Sequence, residues 1–197
     1  MKIFEAYDMF SIEHVMHPND VYFEIGAHRG KFLKASKLFR SGCRYFFYEP
    51  GDIRNELESF LKKYRIPGAQ VTICSEAIWS SEGEFDYYAD VKEGQGNTLV
   101  EGVHPKNKKV KAITFERALA RYEINRVRFL AINAEQAEYE ILKSSAMDRV
   151  DFVTCEFHPG KSGISTLDFI REHLPGWETL KFGRAGEAYN QWLGRRR

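Results

Sequence analysis

Short apolar runs of strand length alternate along the chain with segments whose apolar residues recur at helical spacing, the pattern of a mostly parallel sheet flanked by helices. The runs predict strands over 21–25, 45–48, 71–73, 127–132 and 151–157. Phe32, Ala35, Leu38 and Phe39 fall on one face of a helix opening near Gly30, and Ile53, Leu57, Phe60, Leu61 and Tyr64 on one face of a second. Ile141 and Leu142 mark a third helix, and Leu167, Phe169, Ile170 and Leu174 a fourth that Pro175-Gly176 ends. Between about 84 and 115 the alternation is interrupted. Phe85, Tyr87 and Tyr88, a glycine-rich stretch and then Lys106, Lys108, Lys109 and Lys111 predict a strand pair joined by a flexible loop near the acceptor site. Segments 177–182 and 188–193, on either side of Gly183-Arg184-Ala185-Gly186, predict an antiparallel hairpin closing the sheet edge. Residues 1–20, with Phe4, Met9, Phe10, Ile12 and Val15, read as a helical segment that covers the sheet, caps the site or pairs with a second copy in a homodimer.

Composition narrows the classes. A length of 197 residues fits one α/β domain over 1–197, and 43% hydrophobic residues with 15 Phe, 10 Tyr and 3 Trp supply a core and exclude wholesale disorder. Lys+Arg 29 against Asp+Glu 28 lacks the basic balance of a protein that packages nucleic acid, so a nucleic-acid partner is not expected. There is no apolar run of membrane-spanning length, and Glu5, Asp8, Glu13 and Asp20 interrupt any signal-peptide core; a soluble, cytoplasmic protein is expected. Cys43, Cys74 and Cys155 lie far apart in apolar surroundings, which reads as buried thiols rather than a disulfide framework. The terminal Arg195-Arg196-Arg197 reads as a solvated tail.

The chemistry concentrates at strand ends. Glu24-Ile25-Gly26-Ala27-His28-Arg29-Gly30 joins the first strand to the first helix, with Gly26 allowing a sharp turn and Gly30 relieving crowding at the helix start. His28 holds the second glycine position of the dinucleotide fingerprint, so pyrophosphate binding loses weight. Glu24 instead suits an amine-bearing ligand such as the methionine part of S-adenosylmethionine. Glu49 ends the second strand, nineteen residues beyond Gly30, where a carboxylate can accept hydrogen bonds from both ribose hydroxyls. Glu76 and Ala77, after the third strand, would lie beside a purine.

The order of these motifs resembles the FkbM family of S-adenosylmethionine-dependent methyltransferases. The likeness runs through Val21 to Gly30 (family form close to V-x-D-I-G-A-N-x-G), Tyr48-Glu49-Pro50, Ala77 to Phe85, the stretch from Phe129 to Leu142 (family form K-I-D-V-E-G-A-E-x-x-x-L), and Glu156-Phe157-His158, similar to an E-x-H strand ending. The resemblance implies a Rossmann-like class I methyltransferase fold, commonly acting on hydroxyls of sugars, polyketides and related metabolites. It assigns Glu24, Gly26, Ala27, His28 and Gly30 to the methionine part, Glu49 and Pro50 to the ribose, and Glu76 and Ala77 to the adenine. Asn133 would face the sulfonium and the acceptor. The departures are Ala131 for Lys, Asn133 for Asp and Gln136 for Gly. Asn133 cannot be a general base and is a poor Mg²⁺ ligand, so a metal-dependent mechanism loses support. Gln136 predicts a helix start no longer shaped for close backbone approach.

Candidate bases are His158, Glu156, Glu135 and His28, with His158 preferred because free imidazole titrates near neutral pH. Alternatively, His158-Pro159 is a strand-exit turn and Glu135 and Glu138 a solvated helix N-terminus. Gly96, Asn97 and Thr98 form a candidate acceptor-binding lid, and the lysine run could attract an acidic acceptor. The expected activity is O-methylation of a sugar, glycan or small metabolite. A nucleoside-binding protein with impaired catalysis, motivated by Asn133 and Gln136, and a nucleic-acid methyltransferase, motivated by the lysines with Arg126 and Arg128, are the alternatives.

Overall fold

The structure is a computed structural model that describes residues 1–64, 67–89, 98–101, 106–158, 165–185 and 189–197. In chain order the strands are β1 (Ile3–Ala6), β2 (Met9–Ile12), β3 (Val21–Ile25), β4 (Arg44–Tyr48), β5 (Gln70–Cys74), β6 (Ala77–Ile78), β7 (Gly83–Tyr88), β8 (Lys106–Ile113), β9 (Val127–Ile132), β10 (Val150–Phe157), β11 (Trp177–Ala185) and β12 (Tyr189–Arg196). The helices are α1 (Lys31–Ser36), α2 (Arg54–Lys63), α3 (Phe115–Arg121), α4 (Glu138–Leu142) and α5 (Thr166–His173), with a 3₁₀ turn at Ser145–Arg149.

Seven strands form the main sheet in the order β11-β12-β10-β9-β3-β4-β5. The five from β10 to β5 are parallel, and the β11–β12 hairpin adds an antiparallel edge, as the sequence predicts. The chain winds outward in one direction through β3, β4 and β5 and then returns to the centre for β9 beside β3. That reversal opens a crevice beyond the carboxyl ends of β3 and β9, where α/β sheets bind their ligands.

Alternation along each strand divides the core in two. Phe23, Ile25, Leu130, Ile132, Val153 and Cys155 face α3, α4 and α5, whereas Tyr22, Tyr45, Phe47, Phe129 and Phe152 face α1, α2 and the β1–β2 hairpin. All three cysteines are free and buried. Among the described residues no helix is long and apolar enough to cross a membrane.

Several expectations require correction. The segment 1–20 holds no helix but a β-hairpin over Ile3–Ile12: Met9, Phe10, Ser11 and Ile12 are all buried, which a helix with one apolar face cannot achieve. Ala6 pairs with Met9 across the two-residue turn Tyr7-Asp8, and Tyr7 takes the positive φ of 57° that suits a tight hairpin turn. The hairpin packs against β10, β12 and α1, with Phe10 N donating to Thr154 Oγ1 at 3.2 Å and Ser11 Oγ to Ser36 O at 2.8 Å. Helix α1 stops at Ser36 because Lys37 turns left-handed, so Leu38 and Phe39 lie beyond it, and Ala35 is exposed. Helix α3 falls partly inside the segment read as an interruption; Thr114 caps it by accepting from Arg117 N, and Phe115, Ala118 and Leu119 bury its apolar face. The predicted strand pair is present as β7–β8, extended by β6 into a separate three-stranded sheet. Arg195 and Arg196 belong to β12, and Arg195 pairs with Glu178 at 2.5 Å.

Candidate active site

A cleft of about 720 Å³ opens at the carboxyl ends of β3, β4, β9 and β10, within the size range of small-molecule sites. Its floor is set by glycine. Gly26 has φ 74°, and a Cβ there would lie 1.8 Å from the Asn133 carbonyl oxygen, so only glycine lets the loops after β3 and β9 touch. Gly30, φ 71°, begins α1 against the Phe60 ring, which a Cβ would meet at 2.6 Å. His28 adopts φ 48°, a left-handed conformation that His and Asn enter more readily than most residues.

Two buried carboxylates occupy one side of the cleft. Glu24 accepts from the Tyr22 hydroxyl at 2.5 Å, the two side chains sharing a face of β3. Burial raises its pKa to about 8; the Tyr22 hydrogen bond opposes the rise and the charge of Glu49 adds to it. Glu49 accepts from His28 N and Gly51 N, both at 2.8 Å and one to each oxygen. Burial raises its pKa too, against those backbone donors and the charge of Lys108. A carboxylate has about four acceptor positions, so Glu49 can still accept from two ligand hydroxyls. Pro50, Ala27 and His28 line the same side. Ala77 and Ile78 line the cleft above them, whereas the Glu76 carboxylate turns away to Arg121 at 2.7 Å and does not reach it.

The other side is built from β9, β10 and β12. Asn133 Nδ2 donates to Glu156 Oε2 at 2.5 Å, and Asn133 Oδ1 is buried without a partner among the described residues. Burial, reinforced by Asp8, Glu135 and Glu138 and opposed by His158, raises Glu156 to about 7. His158 is clamped by two carboxylates, Nδ1 to Glu138 at 2.5 Å and Nε2 to Glu135 at 3.0 Å. Burial works against its charge, but the two carboxylates prevail and push it up to about 11. The reason for preferring His158 as a base, a titration near neutral pH, therefore does not apply: this imidazole keeps its proton. Glu138 is fully buried beneath it rather than solvated at a helix end.

Glu135 and Gln136 carry successive positive φ angles of 48° and 81°. The backbone at Gln136 thus retains a conformation that glycine adopts without cost, and the departure from the family pattern adds strain rather than reshaping the helix start. Thr98 is buried in the cleft wall, its Oγ1 donating to the Glu135 carbonyl at 2.5 Å, so the segment beyond β7 is tied to the loop after β9. Gly96 and Asn97 lie outside the described residues.

Sequence reasoning did not find Tyr7, Asp8, Tyr189 and Gln191, which also line the cleft. The first two arrive on the N-terminal hairpin and the last two on the edge strand β12, and no motif spacing links either to the glycine loop. Lys108 is held by Asp52 at 2.5 Å, and Lys109 and Lys111 stand opposite Asp86 and Glu84 in the β7–β8 register. Arg126 and Arg128 pair with Asp151 at the opposite end of the sheet from the cleft.

Similar folds occur among solved structures. A Clostridium thermocellum protein of proposed rRNA-methylase function aligns with TM-score 0.53 and 11% identity over 92% of this chain and 88% of its own. The fibrillarin pre-rRNA processing protein of Methanococcus jannaschii gives 0.53 and 8% over 94% and 69%, and a precorrin-6y C5,15-methyltransferase from Geobacter metallireducens 0.50 and 10% over 92% and 82%. At such identities the likeness is one of fold. No curated protein matches the chain in sequence. The model of the methyltransferase FkbM domain matches residues 24–183, which span the glycine loop, both carboxylate-bearing strand ends and Glu156-Phe157-His158, and the chain accordingly belongs to the FkbM methyltransferase family, with S-adenosylmethionine as its cofactor.

Proposed function

We propose that the chain transfers a methyl group to a hydroxyl of a sugar, glycan or other small metabolite, with Glu156 as the general base. Bound S-adenosylmethionine supplies a methyl group activated by a positively charged sulfur. Glu24 binds the cofactor's amine end beside Gly26, Ala27 and Gly30, Glu49 accepts from its ribose hydroxyls, and Ala77 with Ile78 leaves room for a flat purine. Asn133, whose Oδ1 has no partner among the described residues, faces the reacting centre.

The observation that carries this reading is the state of Glu156: a buried carboxylate opening into the cleft, oriented by Asn133 Nδ2 and raised by burial to about 7. A base with a pKa near the working pH combines a useful ionised fraction with real proton affinity, which suits removal of a hydroxyl proton as the oxygen is alkylated. His158 supports this role without taking part in proton transfer, since its imidazolium lies between Glu135 and Glu138 and its charge limits the rise in Glu156. Methyl transfer otherwise needs alignment more than chemistry, and the cleft walls supply it.

The test is methyl transfer from methyl-labelled S-adenosylmethionine to a panel of polyols, sugars and phenols, with Glu156→Gln as the variant. Activity should rise with pH through about 7 and fall by about 10²–10⁴ in the variant, while affinity for S-adenosylhomocysteine persists. Unchanged turnover in Glu156→Gln would remove Glu156 from the mechanism.

A further inference from the structure

Glu24 lines the cleft, but what holds it lies underneath. Tyr22 precedes it by two residues on β3, so both side chains leave the same face of the sheet, and the Tyr22 hydroxyl donates to Glu24 Oε2 at 2.5 Å. The phenol is fixed by packing: it is fully buried, with ring centroids of Tyr45 at 5.6 Å, Phe47 at 5.9 Å and Phe129 at 6.3 Å. Burial and the nearby charge of Glu24 push its titration well above the ordinary phenol range, so it stays a donor. Tyr22 also precedes the residues 24–183 that carry the family match.

The surroundings of Glu24 offer no opposite charge. Its register neighbours on β4 and β9 are Phe47 and Ala131. Glu49, at the end of β4, is a second carboxylate that disfavours ionisation of Glu24, and Asp8, Glu135 and Glu156 along the cleft are acids too. Of the cations there, Lys31 of α1 donates to the Tyr7 hydroxyl at 3.0 Å, and His158 lies between Glu135 and Glu138. His28, on the glycine loop, gives its main-chain N–H to Glu49. Among the described residues Glu24 has no ion-pair partner and one hydrogen-bond donor, Tyr22. A buried carboxylate in that position is costly to ionise until a cation arrives.

We infer that Tyr22 is the positioning residue of the cofactor's amine site: its hydroxyl holds Glu24 by Oε2 and leaves Oε1 to receive the cofactor's ammonium. This rests on the reading of Glu24 given above. The arrangement couples binding to proton release. Burial places the Glu24 carboxyl at about 8, so at neutral pH the empty site holds a proton. When the ammonium binds, Glu24 becomes a carboxylate, the ammonium keeps its three hydrogens, and the carboxyl proton leaves to solvent.

Titration calorimetry of the full chain with S-adenosylhomocysteine, which carries the same ammonium, tests this between pH 6 and 9, with variants compared to the parent as ratios. Parent affinity should rise with pH and level off above about 8, and near pH 7 close to one proton should be released, read from the difference between phosphate and Tris buffers. Glu24→Gln should bind at least about tenfold more weakly at pH 9 and release no proton. Tyr22→Phe keeps the ring and removes the donor that favours the charged form of Glu24. It should bind about tenfold more weakly at pH 7, the worth of one pKa unit, with the gap closing as pH rises, and should add nothing in Glu24→Gln protein. Tyr45→Phe removes another hydroxyl from the same cluster, one that donates to Leu38 O and accepts from Arg40 N, and should leave the ratio near one at every pH. A difluorotyrosine at position 22, a stronger donor of nearly the same shape, should move the profile to lower pH, which no loss of packing would do. Full affinity in Glu24→Gln would take the amine end away from Glu24 and remove the reading beneath this inference. Weakened binding in Glu24→Gln, together with a Tyr22→Phe profile that overlays the parent's or lies a constant factor below it, or with no displacement by difluorotyrosine, would overturn the role of Tyr22 and leave that reading standing.

Discussion

Replacing Gly26 by alanine tests whether the contact between the β3 and β9 loops organises the site. The added Cβ would stand 1.8 Å from the Asn133 carbonyl oxygen and 2.7 Å from its carbon, both backbone atoms that cannot rotate away, so the two loops must part by more than about 1 Å. Three costs combine. A non-glycine residue held at φ 74° costs about 1–2 kcal/mol, forcing a methyl into a packed contact about 1–3 kcal/mol, and loosening the Asn133 N to Ile25 O hydrogen bond, 2.9 Å long, about 1 kcal/mol. The total of roughly 3–6 kcal/mol should lower the melting temperature by on the order of 10 °C in a protein of this size. Displacement of Asn133 also breaks its bond to Glu156, so affinity for S-adenosylhomocysteine should drop at least about tenfold. The control is Gly176→Ala, where a Cβ meets nothing within 4 Å and which should leave both properties close to the parent's. The assay is thermal and denaturant unfolding followed by calorimetric titration. A Gly26→Ala protein within about 1 kcal/mol of the parent and binding normally would refute the reasoning, since the clash would then be relieved by a backbone freedom that the packing denies.

His158→Gln leaves the Glu138 carboxylate buried without its cationic partner and should cost roughly 3–5 kcal/mol. Because the folded pKa of His158, about 11, lies above its ordinary 6.5, the parent's advantage should be full below pH 6.5 and disappear as pH rises toward 11; an advantage growing with pH in paired denaturation curves would contradict the assignment. Glu49→Ala should weaken S-adenosylhomocysteine binding about tenfold or more, the worth of hydrogen bonds to a charged group; unchanged affinity in titration would place the ribose elsewhere. Gln136→Gly should raise stability by about 1 kcal/mol by relieving the φ of 81°, readable as a higher denaturant midpoint, and a lower midpoint would show that the side chain earns more than the backbone loses.

How much was legible in the chain depended on how local the signal was. Strands 21–25 and 127–132 are read to the residue because β-branched and aromatic runs buried on both faces have no competing interpretation. The positions of Glu24, Gly26, Glu49 and Glu156 at strand ends follow directly, since a parallel sheet brings all its carboxyl ends to one edge. Short elements were harder. Helix α3 has seven residues and follows a strand, and the hairpin turn Tyr7-Asp8 carries no glycine to announce it.

What the linear chain determines here is the main-sheet strands and the placing of Glu24, Gly26, Glu49 and Glu156 at or just beyond their ends, because alternation and strand-end glycines act over a few residues. The tertiary structure alone decides the rest. It turns His158 from a base into a fixed imidazolium by closing Glu135 and Glu138 around it, turns Glu76 away to Arg121, and brings Asp8 and Gln191, 183 positions apart, to one cleft. Charge state and proximity depend on burial and on neighbours distant in the chain, and neither is written in spacing or periodicity.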